Sequence, residues 1–573
     1  MVQKSRNAAL VAFVLLSGFG VAYGQTAIPA QERYAKAAAQ LQRLAEYEVS
    51  EKNLPGLTIA LVDDHQIVWA QGFGFADPEK NTAATAETVY RVGSVSKLFT
   101  DIAIMQLVER GQLDLDAPMT KYLPDFHPKN PFATPITLRE LMTHRSGLVR
   151  EPPVGSYFDS TQPSLAEVVK SLNTTELVYA PGTHTKYSNA GDTVAGAVLE
   201  SVTHKPYADY LQAAVLGPLG LKDSSFTPEP SLLRNLAKGY MWTYDGRVFP
   251  APTFELGTGP AGNLYSTAVD QGLFLSAIFA DGRGLSGPIL KPATLQQMFS
   301  PQSSDSSFGL GFALLDVDGL KMAGHRGGIY GFSTELLAIP KEKIGVVVIT
   351  NMDNSSEVCW HVAFTALRFM LAARSGKPLP SLLIPTDVPT ETMHGVAGRY
   401  EKGSESIEIF ERSGKLFIEP LQDGSRSELR MGVNRSLLTD DRNGWGYEIT
   451  PTADGITASG NTDEIYKRVP EALAKPVPPE WNKFLGEYGW DYNVLYIMDR
   501  NNQLTALLEM EYVPLTKVSA NVWAFPQDSS YDHELLTFVL DKTGCPMQVK
   551  VGEVVFPRRS ACEHRSWPNG MYP

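Results

Sequence analysis

A serine and a lysine three residues apart, in Ser94-Val95-Ser96-Lys97, open an apolar helical stretch, LFTDIAIMQLVERGQ, in a chain of 573 residues. Helix residues at i and i+3 share one face about one turn apart, so the lysine nitrogen comes within reach of the serine hydroxyl. A serine hydroxyl is a weak nucleophile until a neighbouring base takes its proton. The start of a helix also favours an oxyanion forming near the Ser94 amide. Taken alone, Ser94 reads better as a plain N-cap, because Ser and Lys are common in helices.

Two further stretches carry matching chemistry. Lys186-Tyr187-Ser188-Asn189-Ala190-Gly191 follows Pro181-Gly182 in a polar loop. A tyrosine beside an ammonium can act as a phenolate base, and an Asn amide can hold a substrate carbonyl and the lysine together. By itself this stretch is a turn. Gly324-His325-Arg326-Gly327-Gly328 begins an expected strand, and glycines inside a strand often mark close approach to the backbone. The N–H groups of Ser94 and Gly328 can then form an oxyanion hole, worth about 3 kcal/mol per donor. An isolated strand histidine would otherwise be structural.

Order along the chain joins the three: a serine at a helix start, a tyrosine about ninety residues on, and a Gly-flanked basic residue near the last strands of the same domain. In these motifs the chain resembles the serine β-lactamase and penicillin-binding family, whose S-x-x-K, Y-x-N and [KH]-x-G patterns stand at Ser94-Lys97, Tyr187-Asn189 and His325-Gly327. The resemblance spans about residues 35 to 375 and extends to LVERGQLDLDAP, TLRELMTHRSGL and PAGNLYSTAVD. It implies a two-step acyl transfer with Ser94, Lys97 and Tyr187 catalytic, and Asn189, His325, Arg326, Gly327 and Gly328 binding substrate. A histidine where class C β-lactamases carry a lysine is a poorer receptor for carboxylates and looks like certain DD-peptidases and D-aminopeptidases. Arg326 is the candidate to restore positive charge.

Around these residues, the stretch from Pro29 to Glu51 has Leu41, Leu44, Ala45 and Tyr47 at helical spacing, so it should pack on a sheet. LTIALVD and QIVWAQGFG form a hairpin through Asp64-His65, and three strands follow from Gly324, Glu335 and Lys343. The fold class expected is α+β: a β-lactamase/DD-peptidase-like catalytic domain with an antiparallel sheet, flanking helices and a helical subdomain between its second and third strands. Past Ser375 a Pro-rich connector leads into alternating strands that repeat. Gly398-Arg399-Tyr400 closes on Tyr466-Lys467-Arg468, and Gly486-Glu487-Tyr488 closes on Phe556-Pro557-Arg558, with aromatic spacings of 66 and 68 residues. Two small antiparallel β-barrels are therefore expected. The division is 1–24 signal peptide, 25–378 catalytic domain, 379–393 linker, 394–470 first barrel, 471–479 linker and 480–573 second barrel with tail. D-aminopeptidases similar to this chain carry two such barrels, which the resemblance extends to here.

Lys4 and Arg6 precede an apolar run from Ala8 to Val21 that ends in Ala22-Tyr23-Gly24, which reads as a cleaved export signal and a periplasmic or secreted product without a stable membrane anchor. The net charge of −13, without a basic block, argues against nucleic acid. Cys545 and Cys562 are near enough in sequence to pair, whereas Cys359 lies in an apolar run as a buried thiol. No metal or cofactor is expected, since the ten histidines form no close ligand pattern. His144 reads as a structural hydrogen bonder. The substrate expected is a small peptide, with a D-amino-acid-containing peptide leading over an ester or a β-lactam, and peptidoglycan a further partner. A non-catalytic peptidoglycan-binding or sensor protein is the competing reading; it has no need of Ser94, Lys97 and Tyr187 together.

Overall fold

The computed structural model describes residues 27–560 apart from 245, 422–423, 459–460, 471–476, 501 and 528. The expected signal peptide, Cys562 and most of the second linker lie outside the described residues. Cys359 is a buried free thiol, and Cys545 is disulfide-bonded.

Continuous apolar runs such as IGVVVIT form strands buried on both faces. Gly56–Asp63, Phe332–Ile339 and Ile344–Thr350 are accordingly buried almost end to end at the centre of one antiparallel sheet. Its order is Ala313–Val317, Leu320–Ile329, Phe332–Ile339, Ile344–Thr350, Gly56–Asp63, Gln66–Asp77 and Thr82–Ala83. The seven strands exceed the five expected, because the two outer ones are short and partly exposed and carry little apolar alternation.

Helices Ala35–Glu51 and Ser356–Arg374 cover one face of the sheet, with Leu41, Leu44 and Ala45 fully buried. Ala268–Phe279 and the helical region between Ala83 and Ala313 cover the other. Within that region run Ser96–Glu109 and Asn189–Thr203, the two helices that begin at the serine and tyrosine motifs.

Eight strands between Gly398 and Val469 close into a barrel. The second C-terminal module differs from expectation. Its strands form a sheet of four, Gly486 to Pro514, and a sheet of five, Thr516 to Pro557, around a common core. The chain passes from one sheet to the other at Leu515, whose N–H still donates to the Leu504 carbonyl at 2.8 Å. The far edges meet at the isolated bridge from Tyr488 to Arg558.

The sequence repeat encodes one latch twice. The Tyr400 hydroxyl donates to the Val396 carbonyl at 2.7 Å, and the Tyr488 hydroxyl to the Phe484 carbonyl at 2.8 Å, each four residues back. The closing arginine then binds the same offset of carbonyls: Arg468 bonds Gly395 and Ala397, and Arg558 bonds Lys483 and Leu485. Gly398 and Gly486 have φ of 151° and 139°, and a Cβ on Gly398 would sit 2.9 Å from the Arg468 guanidinium.

The barrel is fixed to the catalytic domain through buried charge. Lys52 Nζ lies 2.6 Å from Glu48 and 2.7 Å from Asp440 of the barrel. His361 bonds the other Glu48 oxygen at 2.8 Å and stacks on the barrel's Trp445 at 4.1 Å. Glu48, His361 and Asp440 are close enough to ligate an ion, but the Lys52 ammonium is bound to both carboxylates, so the cluster is an ion-pair lock.

Arg558→Met removes the charged donor from two carbonyls of the second latch and should cost about 2 kcal/mol of stability. Urea unfolding followed by Trp490 and Trp523 fluorescence reads this, and a wild-type midpoint would contradict it.

Candidate active site

Ser94 sits in the single 3-10 turn Gly93–Val95, directly ahead of the helix Ser96–Glu109. Gly93 holds φ at 53°, and a Cβ there would come 2.7 Å from the Gly328 carbonyl oxygen. A Cβ on Gly327 would meet the Val92 carbonyl oxygen at 2.0 Å. The glycines of the third motif thus let strand Leu320–Ile329 lie backbone to backbone against the serine turn. Ser94 and Gly328 consequently line the same cleft.

Lys97 is buried, and its ammonium spends all three protons: on Ser94 Oγ at 3.0 Å, Asn189 Oδ1 at 2.8 Å and the Ala261 carbonyl at 2.8 Å. The Tyr187 hydroxyl bonds Ser94 Oγ at 2.7 Å. Two cations flank the Tyr187 ring, Lys97 at 4.9 Å and Arg150 at 5.5 Å. The structure therefore joins Ser94, Lys97, Tyr187 and Asn189 in one hydrogen-bonded group able to move a proton off the serine.

His325 faces this group, its ring 6.2 Å from that of Tyr187. Nδ1–H donates to the Arg326 carbonyl at 2.6 Å, and Nε2 has no partner among the described residues. Burial, reinforced by the Lys97 charge, lowers its pKa to about 3. The imidazole is neutral at physiological pH, and its unpaired Nε2 is buried at the cleft wall. Arg326, one residue on, points to the opposite side of the strand. Its guanidinium pairs with Glu335 at 3.1 Å and Glu357 at 2.8 Å, so it does not restore the charge that His325 lacks.

Several residues of the site escaped the motifs. Asp101 and Asp192 lie buried near Lys97, one helical turn beyond Lys97 and Asn189. Burial pushes both carboxyls upward and the Asp192 charge adds to the effect on Asp101, while Lys97 pulls both down. A charged residue one turn past each motif, inside an apolar helix, was the signal available. Glu151 accepts from Asn189 Nδ2 and from the Tyr157 N–H, which fixes the amide with its oxygen toward Lys97. Burial raises the Glu151 pKa against the pull of Arg150. His144 accepts from the Ser188 N–H at 3.3 Å and also packs its ring 4.3 Å from Tyr187.

The cleft has a volume of about 530 Å³, and its outer wall comes from the second C-terminal module. Tyr492 and the hairpin tip Glu509-Met510 line it together with Tyr157 and Tyr330, the Tyr492 ring packing 5.5 Å from that of Tyr330. Glu509 and Met510 have φ of 50° and 69°, the left-handed values of a two-residue turn that usually recruits Asn or Gly. A strained tip of this kind is characteristic of functional positions. Glu509 Oε2 lies 3.7 Å from Arg150.

A family model described as Beta-lactamase matches residues 37–363. Protein flp from Staphylococcus aureus (strain N315) is 24% identical over 322 residues, covering 55% of this chain and 63% of that protein, so the chain spans under two thirds of this relative. The octameric penicillin-binding protein homologue from Pyrococcus abyssi shares the fold, with a TM-score of 0.55, 24% identity, and 75% of this chain against 98% of that one. D-amino acid amidase from Ochrobactrum anthropi SV3 superposes with a TM-score of 0.51 and 26% identity, over 60% of this chain and 99% of the amidase. A family match over more than half of the chain, on a sheet and helical insertion that bring the three motifs to one cleft, means that this protein belongs to the Beta-lactamase family.

Proposed function

We propose that this protein is an exported, periplasmic or secreted serine hydrolase of small D-amino-acid-containing peptides, with Ser94 as the acylated nucleophile and a preference for substrates with a free amine. The observation that carries the preference is the neutral His325, its Nε2 buried and unpaired, beside a cleft whose outer wall presents the Glu509 carboxylate. A C-terminal carboxylate or a penicillin finds no cation at this position, whereas an ammonium or amide N–H finds acceptors. The relationship to the D-amino acid amidase supports an amide substrate of D configuration. The charged and apolar N-terminal segment supports export.

In this reaction Tyr187, acting as its phenolate, takes the Ser94 proton as Oγ attacks the scissile carbonyl, while Lys97 stabilises the developing alkoxide. The oxyanion accepts from the Ser94 and Gly328 N–H groups. Tyr187 returns the proton to the leaving amine, and water, deprotonated by Tyr187, hydrolyses the acyl ester. Asn189 holds Lys97 in place and presents its amide to the substrate.

D-alanine p-nitroanilide should be cleaved with kcat/KM about tenfold or more above its N-acetylated form, the worth of one charge-assisted hydrogen bond. Faster turnover of the acetylated compound, a chromogenic cephalosporin or a short aryl ester would replace this substrate class. Ser94→Ala should abolish turnover and the covalent adduct seen by mass spectrometry, and Tyr187→Phe should lower kcat by about two to four orders of magnitude. A Tyr187→Phe enzyme with wild-type kcat would refute the phenol's role. His325→Lys should raise acylation of Ser94 by a labelled penicillin about tenfold by supplying the missing cation; an unchanged rate would remove His325 from the account of specificity.

A further inference from the structure

The catalytic residues are held from behind by a carboxylate that belongs to the second C-terminal module. Glu534 Oε1 accepts from the Arg150 N–H at 2.9 Å and from Lys186 Nζ at 2.7 Å, and both ends of the Lys186 pair are almost wholly buried. Arg150 and Lys186 are the immediate neighbours of Glu151 and Tyr187. One oxygen thus ties together the two segments that carry the Asn189 and Ser94 partners.

The tie reaches the site by short paths. The Arg150 carbonyl accepts from the Asn189 N–H at 2.9 Å, so the peptide chain at Arg150 is fixed on one side by Glu534 and on the other by the helix that starts at Asn189. The Arg150 guanidinium lies between the rings of Tyr187, at 5.5 Å, and Tyr531, at 5.6 Å. The Glu534 carboxylate itself has no slack: a Cβ on Gly552, whose φ is 55°, would stand 2.0 Å from Oε2. The module is anchored nearby by Phe158 of the catalytic domain, which packs in the module's own core against Phe556 at 4.9 Å.

We propose that Glu534 is a positioning residue of the active site, and that the second C-terminal module completes the catalytic centre as well as walling its cleft. A buried ion pair that loses one partner leaves an uncompensated charge, so removing either Glu534 or Lys186 frees the Tyr187 and Glu151 segments to shift. A displacement of about 1 Å at a reacting group is enough to cost a hundredfold in rate. The proposal rests on Ser94 being the nucleophile.

The test uses the full chain, with a fluorophosphonate probe for Ser94 and p-nitrophenyl acetate for turnover, both normalised to folded protein. Glu534→Ala and Lys186→Met should each lower the Ser94 labelling rate and kcat by about tenfold to a hundredfold, with KM changed far less, and should displace the pH profile of kcat. Glu534→Gln, whose amide oxygen still accepts from both donors, should recover most of the rate. Glu534→Ala combined with Lys186→Met should cost less than the product of the two single effects. If Glu534→Ala does not fold, Lys186→Met decides. Wild-type labelling, kcat and pH profile in the folded variants would overturn the role of Glu534. A wild-type protein in which the probe labels a residue other than Ser94 would instead overturn the nucleophile assignment, and the positioning role with it.

Discussion

The active site is organised around one buried cation. Lys97 is almost completely withdrawn from solvent, and an ammonium in such a place must find three acceptors and a counter-charge or lose its proton. The acceptors are Ser94 Oγ, Asn189 Oδ1 and the Ala261 carbonyl, each from a different segment of the helical region. Asp101 and Asp192 lie nearby, two carboxyls that burial pushes toward protonation and the Lys97 charge pulls back. Meeting the needs of Lys97 therefore brings the start of the helix Ser96–Glu109 against the start of Asn189–Thr203. Tyr187 arrives at Ser94 from two positions before that second helix, next to its Ser188 cap.

The strand that bounds the cleft divides its work by alternation. His325 faces the site, Arg326 faces the helix Ser356–Arg374, and Gly327 allows the strand to touch the serine turn. A flank that holds a charge in related motifs here holds a neutral imidazole, because burial and the nearby Lys97 charge both disfavour its protonated form. The positive charge next door is neutralised on the far face by Glu335 and Glu357. Substrate polarity at this wall follows from that geometry.

The two C-terminal modules share a repeat and differ in use. The closed barrel is docked through Lys52, Glu48, His361 and Asp440, away from the cleft. The second module opens into two sheets and reaches the cleft with Tyr492, Glu509 and Met510. Identical latches at Tyr400 and Tyr488 start each module, so what separates their roles lies in the later strands and turns.

The sequence by itself determined what depends on local order. Ser94 and Lys97 share a helix face because of their spacing, Tyr187 and Asn189 sit at a helix start because of the turn before it, and the Gly-x-Tyr repeat builds the same latch in both modules. The central strands were legible as unbroken apolar runs. The edge strands Thr82–Ala83 and Ala313–Val317 were not, since partly exposed short strands carry little pattern. Only the tertiary structure decided the direction of Arg326, because strand phase fixes a side and the position of Glu335 and Glu357 fixes what that side meets. It also decided the neutrality of His325, which comes from burial and from Lys97, more than two hundred residues away in sequence. Glu509 and Glu534 lay furthest from reach: their partners Arg150 and Lys186 are over three hundred residues distant, and no local spacing records a contact made by docking one domain on another.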